Sequence, residues 1–164
     1  MLQFLVPTAE DMIELGRAIG KMIPSGTVIG LVGDLGVGKT TLVQGIAQGL
    51  AVEAHLTSPT FTLIKQYAGR LPLHHIDVYR LEDPEEILLL GLDEILLEDS
   101  VVVVEWADRI QELLPKTYLR ITLIMDTDAR RRVVIEGKGQ GCEKVMEELE
   151  NLGGIGIGQC YQCS

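Results

Sequence analysis

The residues with the clearest chemical reading are Gly33-Asp34-Leu35-Gly36-Val37-Gly38-Lys39-Thr40, which fit the spacing G-x-x-x-x-G-K-[ST]. Glycines at these steps let successive backbone N–H groups turn inward around phosphate oxygens. A helix starting at Lys39 adds the partial positive charge of its N-terminus. Lys39 supplies an ammonium for the β- and γ-phosphates, and the Thr40 hydroxyl suits Mg²⁺. An apolar run at 27–32 precedes the loop and a helical run at 39–50 follows it, the context that phosphate binding requires. The bland alternative is a Gly-rich strand-to-helix turn that binds nothing. Neither Asn-Lys-x-Asp nor Asp-x-x-Gly, the marks of guanine-specific GTPases, occurs in the chain, which favours ATP.

A loop of this kind needs carboxylates at the ends of neighbouring apolar strands. Val101-Val102-Val103-Val104-Glu105 is one such strand, with Glu105 in the metal-serving position. Leu73-His74-His75-Ile76-Asp77 is the other. His74 and His75 alternate across that strand, so both cannot face one site. Trp106, the single tryptophan, follows Glu105, where packing alone would explain it. Thr57-Ser58-Pro59-Thr60-Phe61-Thr62 lies between the loop helix and the next strand, where a switch with hydroxyls would sit. Pro59 holds Ser58 extended. Arg130-Arg131-Arg132 reads as a solvated hairpin turn from which one Arg could reach a phosphate. Cys160-Tyr161-Gln162-Cys163 is a lone CxxC, with Cys142 the only other cysteine, too few ligands for a metal.

The elements that position these groups follow from periodicity. Thr8 reads as the N-cap of a helix with acids in its first turn, stopped by Pro24-Ser25-Gly26. Residues 61–67 and 71–78 form one expected hairpin, 118–125 and 131–136 a second. Asp83-Pro84 should cap a helix that Gly91 ends. Residues 108–114 and 143–151 are further expected helices. Strands alternating with helices predict a parallel α/β sheet, and the hairpins add antiparallel strands, giving a mixed sheet with helices on both faces. One domain is expected over 1–151, followed by a flexible Gly/Cys tail at 152–164.

Composition narrows the function classes. The chain has 164 residues and a formal net charge of −10. The stretch 77–112 carries twelve acids against two bases and so holds the whole imbalance. Tight autonomous binding to nucleic acid is thereby disfavoured. No apolar run approaches the roughly 20 residues of a membrane helix. The short start Met1-Leu2-Gln3-Phe4-Leu5, followed early by Pro7, does not read as a signal peptide. A cytoplasmic protein with no membrane contact is expected.

Taken together, residues 33–41 (GDLGVGKTT), 58–63 (SPTFTL), 75–81 (HIDVYRL), Asp83-Pro84-Glu85-Glu86, Gly91 and Val104-Glu105-Trp106 resemble the TsaE family, also called YjeE, ATPases of bacterial tRNA threonylcarbamoyladenosine biosynthesis. The likeness spans about residues 5–136. It implies a mixed-sheet P-loop fold, weak intrinsic ATP hydrolysis with Mg²⁺, and partnership with the TsaD–TsaB heterodimer. The ATP cycle would reset that heterodimer, tRNA would be met only indirectly, and the chain would not be the transferase. Carried over residue by residue, Asp34, Leu35, Gly36, Val37, Gly38, Lys39, Thr40 and Thr41 would hold nucleotide, with Thr8 nearby. Thr40 and Glu105 would serve Mg²⁺. Lys39, Asp77 and Glu105 would support hydrolysis. Ser58, Pro59, Thr60 and Trp106 would form a switch or partner surface. Two rivals share the loop: a small-molecule kinase and a nucleotide-binding module that does not hydrolyse.

Overall fold

Val101 and Val103 pack into one hydrophobic core, Val102 and Val104 into another, and this alternation divides the molecule. The computed structural model describes residues 1–59, 63–126, 129–152 and 160–162. In chain order the elements are β1 (Leu2–Val6), α1 (Ala9–Met22), β2 (Val28–Val32), α2 (Lys39–Gly49), β3 (Ile64–Tyr67), β4 (Leu73–Asp77), α3 (Glu86–Leu89) and α4 (Leu92–Ile95). There follow β5 (Val101–Glu105), a 3-10 helix (Ala107–Leu113), β6 (Tyr118–Met125), β7 (Arg131–Lys138), α5 (Glu143–Leu152) and β8 (Cys160–Gln162).

The strands form one eight-stranded sheet in the order β3-β4-β5-β2-β6-β7-β1-β8. β4, β5, β2 and β6 run parallel, and the pairs outside this centre are antiparallel. Helices α1, α2 and α5 cover one face, in a core with Phe4, Ile29, Leu31 and Ile121. The short helices after β4 and β5 cover the other, through Ile87, Leu92, Ile95 and Ile110. The expected mixed sheet with a parallel centre and helical flanks is the fold observed. Among the described residues, no helix is long and apolar enough to cross a membrane.

α2 is held against α1 by a seam of four glycines. A Cβ on Gly45 would lie 2.3 Å from the Ile13 carbonyl oxygen, and one on Gly16 would lie 2.4 Å from that of Leu42. Gly20 and Gly49 repeat this contact one turn further along. Only hydrogen at these positions allows the two backbones to approach so closely, and the approach fixes where the α2 N-terminus points.

Several expectations change. The helix expected from Asp83 to Gly91 is only the single turn α3, and a second single-turn helix, α4, follows Gly91. Asp83 Oδ1 accepts from the Glu85 N–H at 3.0 Å, which makes a local turn. Gly91, at φ +90°, ends α3 and starts α4. The helix expected at 108–114 is the 3-10 helix, broken at Ile110 (φ −126°, ψ 27°). β1 had no counterpart among the expected strands, yet Leu2, Phe4 and Val6 point inward with period two and the strand pairs with β7. β7 reaches Lys138, past the expected end at 136. The expected tail contains β8, which pairs with β1. Thr60, Phe61 and Thr62 lie outside the described residues, as do 153–159 and Cys163.

Candidate functional site

The loop between β2 and α2 is shaped by three glycines, two by their backbone conformation and one by a close approach. Gly36 and Gly38 have φ +77° and +115°, the left-handed region. A Cβ on Gly33 would lie 2.5 Å from the Leu123 carbonyl oxygen of β6. Gly38 is the N-cap of α2 and offers no capping side chain, so the first-turn amides of that helix are open to an anion. Met12 on α1 packs beside Gly38, its methyl 3.6 Å from where a Cβ would sit.

Lys39 is buried, 4% exposed, beneath this loop. Its Nζ donates to the Gly33 carbonyl at 2.6 Å and to the Asp34 carbonyl at 2.8 Å. The ammonium also lies 3.9 Å from the centroid of the Trp106 ring. Burial pulls its pKa below the ordinary 10.5, while the carboxylates of Glu105, Asp77, Asp34 and Asp108 pull it back up. Trp106 reaches over the lysine because its backbone is left-handed, at φ 61° and ψ 40°. Tyr79 stacks on it with centroids 4.7 Å apart. Arg109 holds Tyr79 in turn, donating to the Val78 and Tyr79 carbonyls.

Asp77 and Glu105 end two neighbouring parallel strands in the same register step. Both are buried. The Thr40 hydroxyl donates to Glu105, 2.9 Å from Oε1 and 3.1 Å from Oε2. His75 Nε2 lies 2.7 Å from the same Oε1. Asp77 accepts from the Ser58 hydroxyl at 2.8 Å through Oδ2 and from the Tyr79 N–H at 2.9 Å through Oδ1. A cleft of about 490 Å³ is lined by Leu35, Gly36, Gly38, Lys39, Thr40, Thr41, Ser58, Asp77, Tyr79, Arg80, Glu105 and Trp106.

The fold therefore brings most of the candidate residues to one cleft. Pro59 belongs to the segment beside Ser58, and its carbonyl accepts the Leu63 N–H at 2.8 Å. Asp34 and Val37 shape the loop from outside the lining, joined by a Val37 N–H to Asp34 carbonyl bond of 3.3 Å. Thr8 caps α1 in a reciprocal pair with Asp11 and does not line the cleft. Nor do Arg130, Arg131 and Arg132, which sit at the β6–β7 turn, with Arg132 3.6 Å from Asp126. His74 turns to the opposite face and meets Glu98 at 2.8 Å, so the two histidines separate as strand alternation requires. Sequence reasoning gave no role to His75, Tyr79, Arg80 or Arg109. For His75 the signal was the alternation in β4, which puts His75 and Asp77 on one strand face beside Glu105.

Comparison with known proteins identifies the family and the fold. A family model described as "Threonylcarbamoyl adenosine biosynthesis protein TsaE" matches residues 6–133. A Bacillus subtilis protein named tRNA threonylcarbamoyladenosine biosynthesis protein TsaE is 44% identical over 149 residues, covering 90% of this chain and 93% of its own. A Nostoc protein of the same name is 41% identical over 140 residues, covering 82% and 85%. The crystal structure of Bacillus subtilis YdiB superposes with a TM-score of 0.79 at 35% identity, covering 93% of this chain and 96% of that one. The chain belongs to the TsaE family of threonylcarbamoyladenosine biosynthesis proteins.

Proposed function

We propose that this chain binds Mg²⁺-ATP in the cleft above the 33–40 loop and hydrolyses it slowly, supporting a TsaD–TsaB heterodimer that forms threonylcarbamoyladenosine on tRNA. The observation that carries the reading is the hydrogen bond from Thr40 to Glu105 beside the Lys39 ammonium. The donors fit Mg²⁺, a hard ion that favours oxygen and takes few protein ligands besides phosphates and water. Among the described residues, no cluster of three His, Cys, Asp or Glu could hold a metal by itself, so nucleotide oxygens would complete the shell. Thr40 gives its hydrogen to Glu105, which leaves its oxygen lone pairs for the metal. When bound, Mg²⁺ neutralises charge on the β- and γ-phosphate oxygens.

The chain's own groups do the rest. Loop amides and the α2 N-terminus hold the phosphates. Lys39 exchanges its bonds to the Gly33 and Asp34 carbonyls for phosphate oxygens. Glu105 already accepts from Thr40 and His75. Glu105 is thus committed to the Thr40 side of the site, and Asp77, held by Ser58 and Tyr79 at the neighbouring strand end, is assigned to align the water. Water attacks the γ-phosphorus in line, the bond to the β–γ bridging oxygen breaks, and ADP and phosphate leave. The acidic stretch 77–112, with Leu89 and Leu97 88% and 87% exposed on it, is assigned to partner docking.

The test is phosphate release. The chain with Mg²⁺-ATP should release free phosphate slowly, and faster with TsaD–TsaB present. A phosphorylated metabolite in place of free phosphate would support the kinase reading. ATP binding without any turnover, alone or with the heterodimer, would leave a nucleotide-binding module.

A further inference from the structure

His75 lies in β4 between Val103 of β5 and Lys65 of β3, with no exposed surface. Leu73 on the same strand face and Val103 beside it are aliphatic and fully buried. An aliphatic side chain would fill this volume as well, so what the imidazole adds is a hydrogen bond. Its Nε2 lies 2.7 Å from Glu105 Oε1. An ionised carboxylate only accepts, which places the hydrogen on Nε2. Nδ1 is buried and has no hydrogen-bond partner among the described residues, as suits the lone pair of a neutral ring better than a second N–H.

The consequence lies at Glu105. Oε1 receives both His75 and Thr40, and among the described residues Oε2 keeps only the longer 3.1 Å contact with Thr40. Three elements meet in this relay: β4 through His75, β5 through Glu105 and α2 through Thr40. Rotating the Glu105 carboxylate away from α2 would leave a buried imidazole N–H unsatisfied. We propose that His75 is a positioning residue that locks Glu105 toward Thr40 and so sets how strongly Mg²⁺ enhances nucleotide binding. This rests on the Mg²⁺-ATP reading and assigns one further residue within it.

Two polar substitutions separate this role from packing. Gln places an N–H near the position of imidazole Nε2, whereas Asn reaches only as far as Nδ1. The readout is the ratio of dissociation constants for a fluorescent ATP analogue in EDTA and in Mg²⁺. His75→Gln should keep the wild-type ratio within about twofold, and His75→Asn should lower it about tenfold, the usual scale for losing a partner of a metal-serving group. Affinity in EDTA should hold in both, because the loop amides and Lys39 do not touch residue 75. Equal ratios in the two folded variants would overturn the proposal. A wild-type chain whose ATP binding ignores Mg²⁺ would remove the underlying reading, and this one with it. Nitrogen NMR of the wild-type chain needs no variant to fold: an Nε2–H tautomer at His75 is expected, and an Nδ1–H tautomer would overturn the proposal.

Discussion

The Thr40 hydroxyl and the Glu105 carboxylate, 65 residues apart in sequence, are joined by a hydrogen bond of 2.9 Å between α2 and the end of β5. That contact ties the phosphate loop to the neighbouring strand. It turns two separate motifs into one site.

Lys39 should titrate below 10.5, because burial outweighs the surrounding carboxylates. Glu105 is the largest of those opposing charges, so Glu105→Gln should move the Lys39 midpoint lower still. The native chain then binds fewer protons than the unfolded chain between the lowered value and 10.5. Unfolding free energy therefore rises with pH across that window. Carbon NMR at lysine Cε measures both midpoints, and a wild-type midpoint at or above 10.5 would contradict the burial argument.

Asp77→Asn should separate binding from chemistry. The amide keeps an acceptor for the Tyr79 N–H but loses the charge that orients water. Turnover should fall about 10²- to 10⁴-fold, the range for a positioned acid or base. ATP affinity should change by only a few-fold. Parallel kinetics and equilibrium binding decide it, and a variant with unchanged turnover would remove Asp77 from the mechanism.

Gly45→Ala should destabilise the fold by about 1–3 kcal/mol, since the new methyl would meet the Ile13 backbone rather than a side chain able to move. At about 2–4 °C per kcal/mol for a chain of this size, the melting temperature should fall by several degrees. An unchanged melt would mean that the seam between α1 and α2 is looser than the contacts imply.

Association with TsaD–TsaB should weaken as salt rises if the proposed docking through 77–112 holds, because that stretch carries twelve acids against two bases. Pull-down at low and high ionic strength tests this. Salt-insensitive association would assign docking to apolar contact instead.

The parts of this site that were legible in the sequence are local ones. The loop glycines, Lys39 and Thr40 are contiguous, and Glu105 ends an unbroken run of valines, so strand, turn and helix signals place them without knowledge of the fold. Asp77 is legible for the same reason. The His75–Glu105 bond depends on β4 lying beside β5 in a particular register, which no local pattern specifies. β1 is not legible locally because its five residues are paired by β7 and β8, near the other end of the chain, and packed against α1 and α5. The glycine seam was visible as two i, i+4 pairs, but its meaning appears only once α1 and α2 are set side by side. Trp106 follows a strand end, where a turn is ordinary. Its left-handed backbone and the ring's position between Tyr79 and Lys39 appear only in the folded chain.

The most direct measurement is calorimetric titration of ATP with Mg²⁺ into the wild-type chain and into Lys39→Ala. The account expects saturable binding at one site in the wild type, weakened about 10- to 100-fold once the charged donor is removed. Equal binding by the two chains, or none by the wild type, would contradict it.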